Sequence, residues 1–426
     1  MPTSATATYV SDTHYPTGEQ SVFSVGGALY ATRYNDATTG HVYMEKSTDG
    51  GLTWTEMDSG NRPSDGEVTL AIQGIMDGSD IIVFYKRVTP FSGSPRTSSL
   101  CFCVFSTATD TWDTPVTTGP SYTGTVTQIR TINGGQFATV IATGDYLVCY
   151  SKPTVDSGSG DPQLYYARYS SGSWGSEVSI AGAVLFPDRV TDAQVYRDAA
   201  SGVFHFYWGE GNSTDKTYYH RGMAADFTLD STQTLSLLTG LTGFSSAAPI
   251  LGGGVKHGSS LYLPYIDFYD STNGNKGRPA VFSGDASLTS PSWTQTVIAG
   301  DELFFVNVNA YALVINANTG NLAAVWSPTT VTGFFDWEIV YREFNGTSWD
   351  ASTSQWYDLA STPAPPSNPG GVVQDLADLT VLSTTEDSTG FTVSARLGFD
   401  GLSIAEYATY FWAFPVSACC CADFAY

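Results

Sequence analysis

Apolar and polar residues alternate at a period of two through most of the chain, and short clusters of Gly, Asn, Asp and Ser interrupt the alternation. Six apolar runs share one form: ALYATRY, IIVFYKR, YLVCYSK, VFHFYWG, LYLPYID and LAAVWSP. A turn precedes each of them, respectively VGG, DGSD, TGD, SG, HGSS and NTGN, which is the chemistry of tight hairpins. Further runs such as HVYMEKS, QLYYARY and WEIVYRE keep the alternation of strands with one buried face. Helical periodicity is nearly absent, so the pattern predicts an all-β protein.

The runs recur in register with a marker. Trp54, Trp112, Trp174, Trp293 and Trp349 each follow a polar turn, at intervals of roughly sixty residues. One interval is doubled, and Phe227 in AADFTLDS fills the gap. Each unit reads as run, turn, run, polar loop, run, Trp turn, run. The expectation is therefore a six-bladed β-propeller over residues 1–360, in which radial repetition hides strand edges. A Pro- and Gly-rich linker follows at 361–371, and then a small C-terminal β module at 372–426 that serves assembly or anchoring. That module is too short for a seven-stranded sandwich, and its apolar faces need cover.

Residues Ser47, Asp49, Gly51, Thr53 and Trp54 in STDGGLTW form a complete S-x-D-x-G-x-T-W motif. It resembles the Asp-box, or BNR repeat, of sialidases and related propellers; the other five copies keep mainly the aromatic residue and a small-residue turn. The box reads as structural: Asp49 accepts hydrogen bonds from its own turn, glycines allow positive φ, and the indole packs on a neighbouring sheet. The resemblance implies that function sits on the opposite face, in the loops joining strands two to three and blade to blade. A sialidase needs three clamp arginines, an Asp acid/base and a Tyr–Glu nucleophile. Here His14-Tyr15-Pro16 stands where the family has Arg-Ile-Pro, while Arg33 and Asp36 occupy the places of a second-strand arginine and the acid/base Asp.

Composition narrows the partners. Lys and Arg number 18 against 41 Asp and Glu, a net charge of −23 that repels phosphate backbones and anionic membranes. Charged residues are 14% of the chain, against a usual share of about 25%, as suits an extracellular or virion surface. The opening MPTSATATYV has neither a basic start nor an apolar core, so no signal peptide is expected. YATYFWAFPVSACCCA is apolar but short and broken by Pro415, so no membrane span is expected. Cys101, Cys103 and Cys149 read as buried thiols. Cys419, Cys420 and Cys421 read as buried thiols or interchain links. No residue spacing indicates a resident metal. Calcium is left open at the acidic loops around Asp156, Asp161 and DFYDSTNGN.

Candidate ligand-binding residues on the loop face are Arg130, Arg189, Asp188, Asp192, Tyr269 and Phe304, alongside Phe186, Phe334, Phe335, Asp267 and Asp270. Arginines offer positive charge, aromatic rings stack on sugars, and carboxylates bind hydroxyls. The sequence favours a non-catalytic, glycan-binding surface protein forming a homo-oligomer through 372–426. The alternatives are a glycoside hydrolase using Asp36 and Arg33, or an architectural coat or filament subunit.

Overall fold

The computed structural model describes residues 6–14, 22–35, 41–57, 59–60, 62–63, 68–90, 95–124, 137–153, 162–181, 190–211, 215–239, 253–269, 276–299, 311–328, 338–362, 364, 369, 371, 373–383, 389–399 and 406–413. Their strands form seven antiparallel-based sheets. Blade 1 is Val22–Val25, Ala28–Asn35, His41–Ser47 and Thr55–Met57. Blade 2 is built on Val68–Asp77, Asp80–Thr89, Arg96–Ser106 and Thr111–Trp112. Blade 3 is built on Ala138–Ala142, Asp145–Pro153, Pro162–Ser170 and Ser173–Trp174, with Val178–Ala181 added at the outer edge. Blade 4 is Val190–Arg197, Phe204–Gly211, Lys216–Met223 and Leu229–Leu238. Blade 5 is Val255–His257, Ser260–Tyr269, Lys276–Asp285 and Thr294–Val297. Blade 6 is Tyr311–Ile315, Leu322–Trp326, Glu338–Phe344 and Ser354–Asp358.

The seventh blade corrects the expected count. Val373–Ser383, Phe391–Phe399 and Glu406–Ala413 form one sheet, and its fourth strand is Thr6–His14 from the other end of the chain. Val373–Ser383 lies against the first strands of blades 6 and 1, which closes the ring. The propeller is thus seven-bladed, and the strands expected as a small C-terminal module are part of it. The reason is physical. The Trp marker belongs to the turn between third and fourth strands, and blade 7 has no such turn because its fourth strand comes from the N-terminus. Six markers were visible for seven blades. The module's apolar strands find their cover inside the chain.

Both faces of each blade are buried against neighbours, which is why the second strands read as continuous apolar runs rather than strict alternation. Each seam carries an aromatic contact. Around the ring these are Tyr30–Phe105, Phe102–Tyr169, Tyr166–Phe206, Tyr218–Tyr265, Tyr262–Phe344, Tyr341–Phe391 and Trp54–Phe411, with ring centroids 4.8 to 5.9 Å apart. Such pairs add about 0.5–1.5 kcal/mol each beyond burial. Cys101, Cys103 and Cys149 are buried thiols, and burial pushes Cys103 up to about 12. Among the described residues no helix is long and apolar enough to cross a membrane.

The ring has two unlike sides. On the turn side, tight hairpins join strands one to two and three to four; Gly26 and Gly27, at φ of 60° and 82°, make the two-residue turn of blade 1. Of the six marker residues, Trp54, Phe227, Trp293 and Trp349 sit in the third-to-fourth connections of this side, and Trp112 and Trp174 end the two-residue fourth strands of blades 2 and 3. On the loop side, strands two and three are joined and the chain passes between blades.

Candidate functional site

In blade 1 the turn side spends its polar groups on itself. In STDGGLTW, Ser47 Oγ donates to Asp49 Oδ1 at 2.8 Å and accepts from the Gly51 amide at 2.8 Å. Asp49 also accepts from the Thr53 amide at 2.9 Å and the Thr53 hydroxyl at 2.5 Å. The indole of Trp54 donates to the Gly51 carbonyl at 3.0 Å and meets Phe411 of blade 7 edge-on. The hydrogen bonds from Thr53, first among the causes, hold the Asp49 carboxyl down at about 2. A carboxylate so occupied has no spare role as acid or base. Blade-to-blade ties on this side are of the same kind. Asp77 accepts from the Gly144 amide and the Tyr146 hydroxyl at 2.8 and 2.9 Å, and Lys256 donates to Asp198 at 2.6 Å. Tyr30 and Lys46 of blade 1 both donate to Asp110 of blade 2, at 3.0 and 2.6 Å.

The loop-side ends of the second strands differ. In blades 2 to 6 each of these strands runs through buried apolar residues and then turns polar while still buried. The residues there are Lys86, Ser151, Glu210, Asp267 and Ser327, all at most 7% exposed. Burying a charged or hydroxyl group costs stability unless it is paired. Glu210 accepts from the Trp208 indole at 3.0 Å. Asp267 Oδ2 accepts from Arg278, directly opposite on the third strand of blade 5, through Nε at 3.1 Å and through Nη2.

Tyr265, two residues before Asp267, is fully buried and stacked on Phe282 at 4.1 Å, with Gln295 at its hydroxyl. Gln194, on the first strand of blade 4 just past a bulge, is fully buried with neither amide atom partnered among the described residues. Ser327 Oγ is likewise unpartnered. Tyr218 differs, donating to the Ile266 carbonyl at 2.8 Å. Burial first, then the charge of Asp267, pushes the Tyr265 phenol well up, so it is a neutral donor rather than a phenolate nucleophile.

In blade 3 the Tyr150 hydroxyl donates to Glu177 Oε1 at 2.6 Å, Lys152 pairs with the same carboxylate, and Lys152 lies 4.8 Å over the Tyr165 ring. A Tyr–Glu pair is the sialidase nucleophile in type. Here burial first, and Glu177 next, push the phenol well up. That opposes a nucleophilic role.

The residues singled out from sequence fall mostly elsewhere. Asp36, Arg130, Arg189, Asp188 and Phe304 lie outside the described residues, as do Asp156, Asp161, Phe186, Asp270, Phe334, Phe335 and Cys419 to Cys421. The backbone of Arg33 stands opposite Tyr43 in blade 1, and Tyr269 stands opposite Lys276 in blade 5. Asp192 lies in the bulge that precedes Gln194. Sequence reasoning named Asp267 but missed Glu210, Gln194 and Tyr265. A signal existed for Glu210, since an acid closing an apolar second run repeats the position of Asp267.

No family model and no curated protein matches the chain. Solved structures resemble it at low identity. Polysaccharide lyase Uly1 is 11% identical over 94% of this chain and 90% of its own, with a TM-score of 0.44. An α-L-arabinofuranosidase from Clostridium thermocellum is 14% identical over 80% of this chain and 94% of its own, at 0.35. A puromycin-hydrolysing peptidase from Mycobacterium tuberculosis is 10% identical over 92% of this chain and 61% of its own, at 0.41. These similarities concern β architecture alone, and a lyase, a glycosidase and a peptidase share them.

Proposed function

We propose that the chain is a carbohydrate-directed propeller working through its loop side, and that its reaction is glycoside hydrolysis. The observation that supports this is the pair Glu210 and Asp267, two carboxylates buried at equivalent strand ends of neighbouring blades in contrasting surroundings. One faces an indole N–H and the other a guanidinium. Glycosidic cleavage uses two carboxyl groups in different roles, one as acid and one as base or nucleophile, and contrasting environments separate such roles. Asp36 and Arg33, placed by the Asp-box resemblance, are a second candidate pair for the same reaction.

The Asp267–Arg278 bond favours a second reading, recognition of extracellular glycans without turnover, because a carboxylate held by arginine is a fixed hydrogen-bond acceptor for sugar hydroxyls. Display at a virion or cell surface accords with the low charged share of 14%.

A screen of polysaccharides for new reducing ends, run beside a glycan array, separates the two. Hydrolysis that falls at least about a hundredfold in both Glu210→Gln and Asp267→Asn, with unchanged melting temperature, supports the enzyme. Hydrolysis lost in Asp36→Asn but kept in the other two moves the site to blade 1. Binding without turnover supports recognition, and silence in both assays overturns the carbohydrate reading.

A further inference from the structure

Blade 4 carries two fully buried histidines, His205 on its second strand and His220 on its third. Their hydrogen bonds form a chain. His205 Nε2 lies 2.9 Å from the Ala286 carbonyl of blade 5, and His205 Nδ1 lies 3.0 Å from His220 Nε2. His220 Nδ1 lies 2.9 Å from Gln233 Oε1. The orientation of Gln233 is fixed by blade 5: its Nε2 donates to the Pro291 carbonyl at 3.2 Å, and its Oε1 accepts from the Trp293 indole at 3.2 Å. A flipped amide would set two donors and two acceptors against each other.

The chain therefore begins and ends on an acceptor. Three contacts need three hydrogens, one on His205 Nε2, one between the rings and one on His220 Nδ1. Two neutral imidazoles supply two. In every neutral tautomer combination at least one contact sets lone pair against lone pair at 2.9 or 3.0 Å. We propose that His205 and His220 together hold one extra proton, shared between His205 Nδ1 and His220 Nε2, and that this proton makes the seam between blades 4 and 5 a pH-responsive clamp. The proton comes from solvent and no bond breaks. Its uptake converts the one repulsive contact into a charge-assisted hydrogen bond.

The charged and titratable groups facing the pair are Asp198 in the turn entering its second strand, Asp230 on the fourth strand, Asp285 at the end of the third strand of blade 5, and Lys256, which pairs with Asp198. Tyr196 lies 6.3 Å from the His205 ring. The three carboxylates favour a positive charge on the rings. Burial opposes it, and it pushes His205 below its usual range. His220, lowered first by burial and then by the charge of His205, falls to about 3. Two coupled groups titrate in two steps. The first step loads the shared proton, and the second, near 3, puts two charges side by side.

The sign follows. Unfolded histidines take up protons near pH 6.5 and the folded pair does so later, so its contribution to stability is full above 6.5 and falls as pH drops through that value. With one shared proton in the fold the folding constant falls about tenfold per pH unit; a pair that stays neutral loses about a hundredfold.

Nitrogen NMR of histidine-labelled protein between about pH 7 and 4 tests this directly, since it reads which ring nitrogens carry hydrogen. The expected result at the acid end is protonated His205 Nε2 and His220 Nδ1, with averaged signals from His205 Nδ1 and His220 Nε2. An unprotonated outer nitrogen persisting down to unfolding overturns the proposal. In Gln233→Leu the far acceptor is gone and two hydrogens suffice, so the first step moves down by at least about one pH unit. An unchanged first step in that variant also overturns it.

Discussion

At the turn side, Asp77 is nearly buried and accepts from two donors of the next blade, the Gly144 amide and the Tyr146 hydroxyl. In the middle of the first strand of blade 4, opposite Tyr207, Gln194 is buried more deeply still and neither of its amide atoms has a partner among the described residues. Both residues sit on first strands, Asp77 in blade 2 and Gln194 in blade 4, so burial alone does not explain the difference. A polar group that holds blades together is satisfied by the protein. One that is buried without a partner among the described residues costs stability, and the marker indoles of Trp112 and Trp174 share that condition with Gln194.

Removing the Asp77 carboxylate breaks this comparison most severely. Asp77→Ala leaves an amide and a buried phenol without acceptors, and each orphaned group costs about 1–3 kcal/mol. The expected loss is about 2–4 kcal/mol, read as a shift of the chemical denaturation midpoint with unchanged slope. A loss below about 0.5 kcal/mol, the range of ordinary surface substitutions, would mean that the turn-side ties are incidental.

Gln194→Leu tests the unpartnered amide and is expected to act in the opposite direction. Replacing an unsatisfied buried amide by an apolar group of similar size removes a desolvation cost, so stability rises by about 1 kcal/mol. If the loop side is the working side, the same variant loses activity or glycan affinity. A stability loss of 1 kcal/mol or more would show that Gln194 is satisfied in solution, and the contrast with Asp77 would fail there.

How far the sequence displayed this molecule depends on which side is asked about. Turn-side features repeat with the blades, because each hairpin needs the same glycines and each third-to-fourth connection the same aromatic residue. STDGGLTW was therefore readable down to single hydrogen bonds. The blade count was off by one for a reason intrinsic to that signal: Thr6–His14 pairs with Glu406–Ala413 across the whole chain length, and no local pattern records such a pairing. Loop-side chemistry repeats only in part: Glu210 and Asp267 close the second strands of blades 4 and 5, while Gln194 comes from the first strand of blade 4 and matches no repeated position. His205 and His220 are hidden because their decisive partners, Ala286 and Trp293, belong to the next blade.

The smallest effect belongs to Asp49, and it separates a turn-side tie from a catalytic acid most cleanly. Its carboxyl lies near 2, below the usual aspartate value of 3.8, chiefly through the Thr53 hydrogen bonds. A depressed carboxyl contributes stability that is present above its unfolded value and is lost as pH falls through its folded value. The side chain is exposed, and solvent screening keeps the contribution near 1 kcal/mol or less. Asp49→Asn keeps one acceptor oxygen and loses the charge. The variant is expected to be less stable than the parent by a constant amount above about pH 4, with the gap closing between about 4 and 2. Thermal melts of both proteins across that range measure it. Turnover, if the loop side supplies it, stays unchanged, because Asp49 lies on the opposite side of the ring. A loss of turnover without loss of stability would place chemistry on the turn side and invert the comparison.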